Sequence, residues 1–194
     1  SEIATGESGY TTAHLTEVVD TRFKQLISDF GEDGARMAAE SSRAAIERIE
    51  TFIQELKILC GFERLPAYLY TEMDRDMQAL MDEFEAAQKC GVNCEWSNEA
   101  PLPYRTKGAI KFHNQAQFHP RSYLLALAGA VNGDGCHVFE NTRVEEIQDG
   151  EPCFVTTPQG TITCHDVVVA SHSAISNWLF LHSKVPAYRT YALA

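Results

Sequence analysis

From Leu15 to Phe84 the apolar residues recur at steps of three and four, and that rhythm stops at Gly91. Such spacing lines one face of a helix and does not suit the two-residue period of a strand. After Gly91 the apolar runs become short and are broken by prolines, Asn132-Gly133 and Pro158-Gln-Gly160. The expected order is therefore helices first and strands later, within an α/β chain.

The first helix is expected from Leu15 through Val18, Val19, Phe23, Leu26 and Ile27 to Phe30, with Gly31 as its stop. A second runs from about Asp33 to Cys60 on a stripe that includes Ala35, Ala39, Ile46, Ile49, Phe52 and Ile53, and Gly61 ends it. Arg43, Glu47, Arg48, Glu50 and Glu55 read as its solvated face. Residues 65–70 read as a short strand, and Thr71 as the cap of a third helix burying Met73, Met77, Leu80, Met81 and Phe84. Residues 92–106 read as irregular and 108–112 as a strand. Pro120 suits a first helical position, and the helix after it, to Val131, is apolar nearly all round and expected to be buried. Strands are expected at 136–140 and 142–147, and a hairpin from 153–157 and 161–164. Asp166-Val-Val-Val-Ala170 has the continuous apolar pattern of a strand buried on both faces of a parallel sheet. A short helix is expected at 174–180. Residues 188–194 read as a strand stopped in mid-run, and the opening residues as a glycine-bearing loop. Both ends therefore read as cuts in a longer chain.

The 194 residues allow one ordinary domain or two small ones. Net charge is −11, and the first hundred residues carry it, with nine Lys/Arg against twenty Asp/Glu. So acidic a surface repels phosphate backbones, and nucleic acid is not an expected partner. The longest apolar stretch, Tyr123 to Val131, is under half of the roughly 20 residues a membrane helix needs, so no membrane span is expected. Six scattered cysteines read as the reduced thiols of a cytoplasmic protein. Cys90 and Cys94, spaced C-x3-C, and the pair His113 and His119 are weak ligand patterns, and no metal is expected.

Three segments, ATGESGYTTAHLT at 4–16, FHPRSYLLALAGAVNGDGCHVFENTRVEEI at 118–147 and DVVVASH at 166–172, carry a family signature in their order and spacing. They resemble FAD-dependent oxidoreductases of the glycine oxidase and D-amino acid oxidase superfamily, with the bacterial subgroup that has a TTA-containing loop near the flavin as the nearest in pattern. The resemblance implies a partial FAD-binding (Rossmann-like) domain with long helices, and part of a mixed-sheet substrate domain. Residues 1–60 would be the flavin-side loop and helices, 61–117 part of the substrate domain, and 118–180 the return to the FAD-binding domain. Residues 181–194 would start a second substrate-domain segment. The implied cofactor contacts are Thr5, Gly6, Ser8, Gly9, Thr11 and Thr12 in the loop, the main chain of Val144, and Ala170 and Ser171 at the end of the last strand. From the residues alone, the same loop reads first as a helix cap at Thr11 or Thr12, and only the resemblance turns it into a flavin loop. His14 lies within the first segment and His172 ends the last; each reads equally as facing the flavin ring or as an ordinary residue of a helix's first turn or of the chain after a strand.

A substrate carboxylate calls for a guanidinium fork or a phenol, and Arg105 and Arg189, with Tyr104 and Tyr188, are the candidates. Relatives seat the FAD pyrophosphate on a G-x-G-x-x-G turn. Here Gly133-Asp-Gly135 is followed by Cys-His-Val, and that turn is not found. The resemblance thus implies part of an enzyme oxidising a C–N or C–OH bond of an amino or hydroxy acid, with hydride passing to the flavin. The piece alone would bind FAD weakly or not at all and would not turn over. Its partners would be a small-molecule substrate and, through exposed sheet edges, other copies of itself. A second reading is a non-catalytic α/β interaction module with an acidic helical docking surface.

Overall fold

The computed structural model describes residues 2–171. They fall into two compact units, Ile3–Val138 and the residues from Phe139 onward, the latter grouped with Glu2. The first unit holds β1 (His14–Leu15), α1 (Phe23–Glu55), β2 (Glu63–Thr71), α2 (Met77–Lys89), β3 (Cys94–Ser97), β4 (Gly108–Gln117) and α3 (Pro120–Val131). The second holds β5 (Glu146–Gln148), β6 (Cys153–Thr157) and β7 (Gly160–Cys164). Helices and antiparallel strands make up the first unit and an antiparallel sheet the described part of the second, and every strand pair among the described residues is antiparallel.

β4 organises the first sheet. β2 runs along one edge from Glu63↔Gln117 to Thr71↔Gly108. β3 takes residues 109–112 of β4, and β1 takes 116–117. Side chains alternate across a strand, so Ile110 and Phe112 point to one face of β4, where both are fully buried. They pack with Phe23, Leu26, Ala35 and Ala39 of α1 and Leu80, Ala86 and Ala87 of α2. A second, smaller core joins Ile58, Cys60 and Tyr123.

The first helix begins later than its apolar spacing predicts. Leu15 lies in β1 opposite Ala116. Val18 and Val19 pack against the core from the connecting segment. The helix starts at Phe23, where the Glu83 carboxylate of α2 accepts from the Phe23 and Lys24 N–H groups at 2.8 and 3.0 Å. A tertiary acceptor supplies the cap that spacing cannot reveal. Thr11 caps no helix; its hydroxyl accepts from Ala13 N at 3.4 Å. Gly31 does interrupt the helix: at φ 75° and ψ 171° it kinks α1 between its two parts. Few residues other than glycine adopt that backbone. The second part ends at Glu55, before Cys60.

Other expectations also shift. Thr71 forms a tight turn with Met73 N at 3.1 Å, while α2 starts at Met77. Residues 94–97, expected to be irregular, pair with β4 as β3. Pro120 does begin α3, whose first turn is capped by His119 Nδ1 accepting from Ser122 N at 3.3 Å. The expected burial of α3 is not seen among the described residues: only Tyr123 is buried, while Leu125 and Val131 are exposed. Residues 136–140 form no strand, only a bridge between Gly133 and Cys136, and 142–147 give just β5. The 153–164 hairpin forms as its alternation predicts. Residues 166–170 form no strand, and Val168 is 89% exposed. No described strand lies beside that segment to take its N–H and C=O groups. Residues 174–180 and 188–194 lie outside the described residues.

Buried polar groups in the first unit are all partnered. Gln115 Oε1 accepts from Thr16 Oγ1 and Glu17 N, both at 2.8 Å, and Nε2 donates to Glu17 Oε1 at 3.0 Å. Arg43 completes the chain by donating Nε to Glu17 Oε2 at 2.9 Å and a terminal nitrogen to the Gly91 carbonyl at 2.9 Å. The Glu83 cap gives a direct test. Removing its carboxylate in Glu83→Ala leaves two N–H groups at the start of α1 without acceptors. The expected loss is about 2–4 kcal/mol, summed over two charge-assisted bonds, and urea unfolding followed by circular dichroism measures it.

Candidate functional site

The loop residues singled out from the sequence are exposed and close together. Gly6 precedes a short 3-10 turn, Glu7–Gly9, closed by Gly9 N donating to the Gly6 carbonyl at 2.9 Å. A Cβ on Gly9 would sit 2.7 Å from the Ala4 carbonyl oxygen, so the turn closes only without a side chain there. Thr5, Gly6, Ser8, Gly9, Thr11 and Thr12 all face solvent.

Ser8, Gly9 and Thr11 border an open cleft of about 360 Å³. Its other walls are the Cys60-Gly61 turn and the first turn of α3, with His119 and Arg121. The Cys60 carbonyl accepts from His119 N at 2.7 Å and fixes these two walls to each other. The cleft therefore combines hydroxyls, glycine backbone, one guanidinium and the positive end of a 12-residue helix. This donor-rich set suits the oxygens and ring nitrogens of a polar cofactor, and Ser8, Gly9 and Thr11 are the loop residues on it that could hold one. Burial pushes the Cys60 thiol up, so it stays protonated on its wall.

The remaining candidates lie elsewhere. Val144 is in the second unit two residues before β5, and Ala170 and Ser171 end the described chain of that unit. Arg105 is exposed in the loop between β3 and β4. Arg189, Tyr188 and His172 lie outside the described residues. Cys90 and Cys94 are held as protonated thiols: burial raises both, Cys94 to about 11 with Glu17 and Glu83 adding to it. Among the described residues no group of three or more His, Cys, Asp or Glu side chains could hold a metal ion. No described helix is long and apolar enough to cross a membrane.

One cluster was missed in the sequence. Because Ile110 and Phe112 face the helices, Lys111 and His113 project from the opposite face of the sheet. There Glu95 Oε1 meets Lys111 Nζ at 2.8 Å and lies 3.4 Å from His113 Nε2. Tyr68 stands opposite Lys111 on β2, and Tyr70 shares a hydroxyl–hydroxyl bond of 2.7 Å with Tyr104. Tyr104, named above for its phenol, thus gains a tyrosine partner that holds its proton more tightly. Strand alternation could have signalled this face only if β3 had been recognised.

With this geometry in hand, the wider comparison assigns a class. The family model described as DAO, FAD dependent oxidoreductase, matches residues 1–193, and the chain belongs to this family of FAD-dependent oxidoreductases. It is 31% identical over 196 residues to YhfW of Bacillus subtilis (strain 168), which bears the name of a Rieske 2Fe-2S iron-sulfur protein; the match covers 100% of this chain and 38% of that one. It is 24% identical over 184 residues to the gamma-glutamylputrescine oxidoreductase of Escherichia coli (strain K12), covering 91% of this chain and 43% of that enzyme. Its fold is similar to that of glycine oxidase from Geobacillus kaustophilus, with a TM-score of 0.68, 20% identity, and coverage of 86% and 45% respectively. The chain spans less than half the length of each of these relatives.

The Glu95–Lys111 pair has a defined pH signature. Lys111 holds the Glu95 carboxyl below its usual range, and Glu95 raises the Lys111 ammonium. The pair's stabilisation is full between the ordinary carboxyl and ammonium values of 4.5 and 10.5. It fades as pH falls through the lowered carboxylate pKa, and again as pH rises through the raised ammonium pKa. Lys111→Met is expected to return Glu95 upward toward its usual 4.5. NMR titration of the side-chain carboxyl carbon measures that shift.

Proposed function

We propose that the chain is part of an FAD-dependent oxidoreductase that oxidises the C–N or C–OH bond of an amino or hydroxy acid. The observation that carries this reading is the Ser8–Gly9–Thr11 wall, set against the first turn of α3 within a chain of the DAO family. FAD, when bound, supplies the hydride-accepting chemistry. The loop at 5–12 holds the cofactor through backbone N–H groups and the Thr5, Ser8, Thr11 and Thr12 hydroxyls. The close turn at Gly9 lets main chain approach a flat ligand. Val144, Ala170 and Ser171 supply further cofactor contacts from the second unit.

The substrate side is the sheet face opposite α1 and α2. It carries a cation at Lys111, an imidazole at His113 and phenols at Tyr68, Tyr70 and Tyr104, groups that bind and orient a carboxylate. Arg105, in the neighbouring loop, is a further carboxylate partner. In this scheme residues 1–60 form the flavin side and 61–117 belong to the substrate domain. Residues 118–171 return to the FAD-binding domain, and the rest of that expected segment, to 180, with the second substrate-domain segment expected at 181–194, lies outside the described residues. The names of two similar proteins, a gamma-glutamylputrescine oxidoreductase and a glycine oxidase, support an amine or amino acid as substrate.

Coverage of under half of each relative supports a cofactor site shared with sequence beyond this chain. The 194-residue chain alone is expected to bind FAD weakly or not at all. The polypeptide extended to the length of its relatives is expected to retain FAD. In the extended protein, Gly9→Ala forces the turn open against Ala4 and weakens FAD binding about tenfold or more, as a packing cost of about 1–3 kcal/mol requires. Flavin fluorescence and absorbance titrations measure all three. An extended protein that takes up no flavin would sink the proposal.

A further inference from the structure

All six cysteines are free thiols, and two of them share a cross-strand position. Cys153, the first residue of β6, pairs in register with Cys164, the last residue of β7. Directly opposite residues of an antiparallel pair project from the same face, with Cβ atoms about 4.5–5.5 Å apart. A disulfide tolerates Cα separations up to about 6.8 Å and needs the Cβ atoms about 3.5–4.5 Å apart, so the pair closes once the two Cβ atoms draw together by about 1 Å. Each sulfur also lies near the other strand. Cys153 Sγ is 3.4 Å from the His165 carbonyl, and Cys164 Sγ is 4.0 Å from the Cys153 carbonyl. Both residues end their strands, where the ladder flexes most easily. Cys153 is buried and also donates to the Gly150 carbonyl at 3.1 Å, whereas Cys164 is only half-buried.

We propose that Cys153 and Cys164 form a reversible redox pair, oxidised to an intrachain disulfide by a low-molecular-weight disulfide such as glutathione disulfide. The Cys164 thiolate, the more accessible, attacks one sulfur of glutathione disulfide, forming a mixed disulfide and releasing one glutathione thiolate. The Cys153 thiolate then attacks the Cys164 sulfur and releases the second. Two protein thiols are oxidised, one small disulfide is reduced to two thiols, and the two protein thiol protons pass to the departing thiolates. The bond locks the base of the hairpin, two residues before the Asp166–Ser171 segment. It would thereby fix the point from which Ala170 and Ser171, the cofactor candidates of this unit, are displayed. The pairing itself stands on the register alone and does not depend on flavin binding.

The test is to equilibrate the chain in buffers of graded glutathione to glutathione disulfide ratio, quench with iodoacetamide, and map the peptides by mass spectrometry without reductant. The expected product at oxidising ratios is a single tryptic peptide carrying both Cys153 and Cys164, unalkylated and lighter by two hydrogens. Cys153→Ser should instead accumulate the glutathione adduct at Cys164, and Cys164→Ser should leave Cys153 open to alkylation only after unfolding. In the oxidised chain, hydrogen exchange at the amides of residues 161–164 should slow several-fold. Persistent glutathione on Cys164 of the wild-type chain, alkylation of both thiols at every ratio, or pairing of either with another cysteine would each overturn the proposal. The wild-type map decides this even if a variant fails to fold.

Discussion

Hydrogen bonding along both edges of β4 is the constraint from which the first unit follows. β2 occupies one edge over the full length of the strand, while β3 and β1 divide the other. That register decides which residues of β4 reach the helices. Ile110 and Phe112 go to the core, and Lys111 and His113 go to the other face. A slip by one residue would exchange these sets, burying an ammonium and exposing a phenylalanine. The same strand carries Gln115, whose side chain secures residues 16–17 and so delivers the loop at 5–12 to its place beside α3.

Two buried carboxylates act beside the apolar packing of the helix layer: Glu83 joins α2 to α1, and Glu17 links α1 to β4 through Arg43 and Gln115. Glu83 and Glu17 are each nearly inaccessible to water, at 3% exposure. A buried carboxylate is costly unless donors surround it. Glu83 meets two helix N–H groups, and Glu17 meets an amide and a guanidinium. These bonds set where α1 begins and fix the side of α1 that faces the core. The net acidity of the first half is thus not all surface charge: two of its carboxylates are structural.

The cleft beside α3 is assembled from segments far apart in the sequence. Its glycine and hydroxyl wall belongs to one segment and its cationic wall to another; Phe118 N donating to the Ala13 carbonyl at 3.3 Å ties the two segments, and the Cys60–His119 bond fixes the Cys60-Gly61 turn to α3. The opposite sheet face, with its charged and phenolic groups, gives the same unit a second chemically distinct surface. One fold thus presents two polar surfaces of different chemistry, one rich in backbone and hydroxyl donors and one in charged and phenolic groups.

What the sequence determined by itself is local. Gly31 and Gly91, at φ 75° and 73°, end helical stretches where the spacing places the stops. Pro120 opens α3, and strand alternation with Gly160 after the turn yields the β6–β7 hairpin. The order of the three family segments was also legible, because it needs no contacts to be read. Tertiary structure alone decided the rest. β1 and β3 are two and four residues long, too short for a pattern, and exist because β4 offers them an edge. The start of α1 depends on Glu83, sixty residues away. The Glu95–Lys111–His113 cluster needs the pairing of β3 with β4. Residues 166–170 are apolar enough for a buried strand, yet a strand's hydrogen bonds are made with a neighbour that its own residues cannot supply.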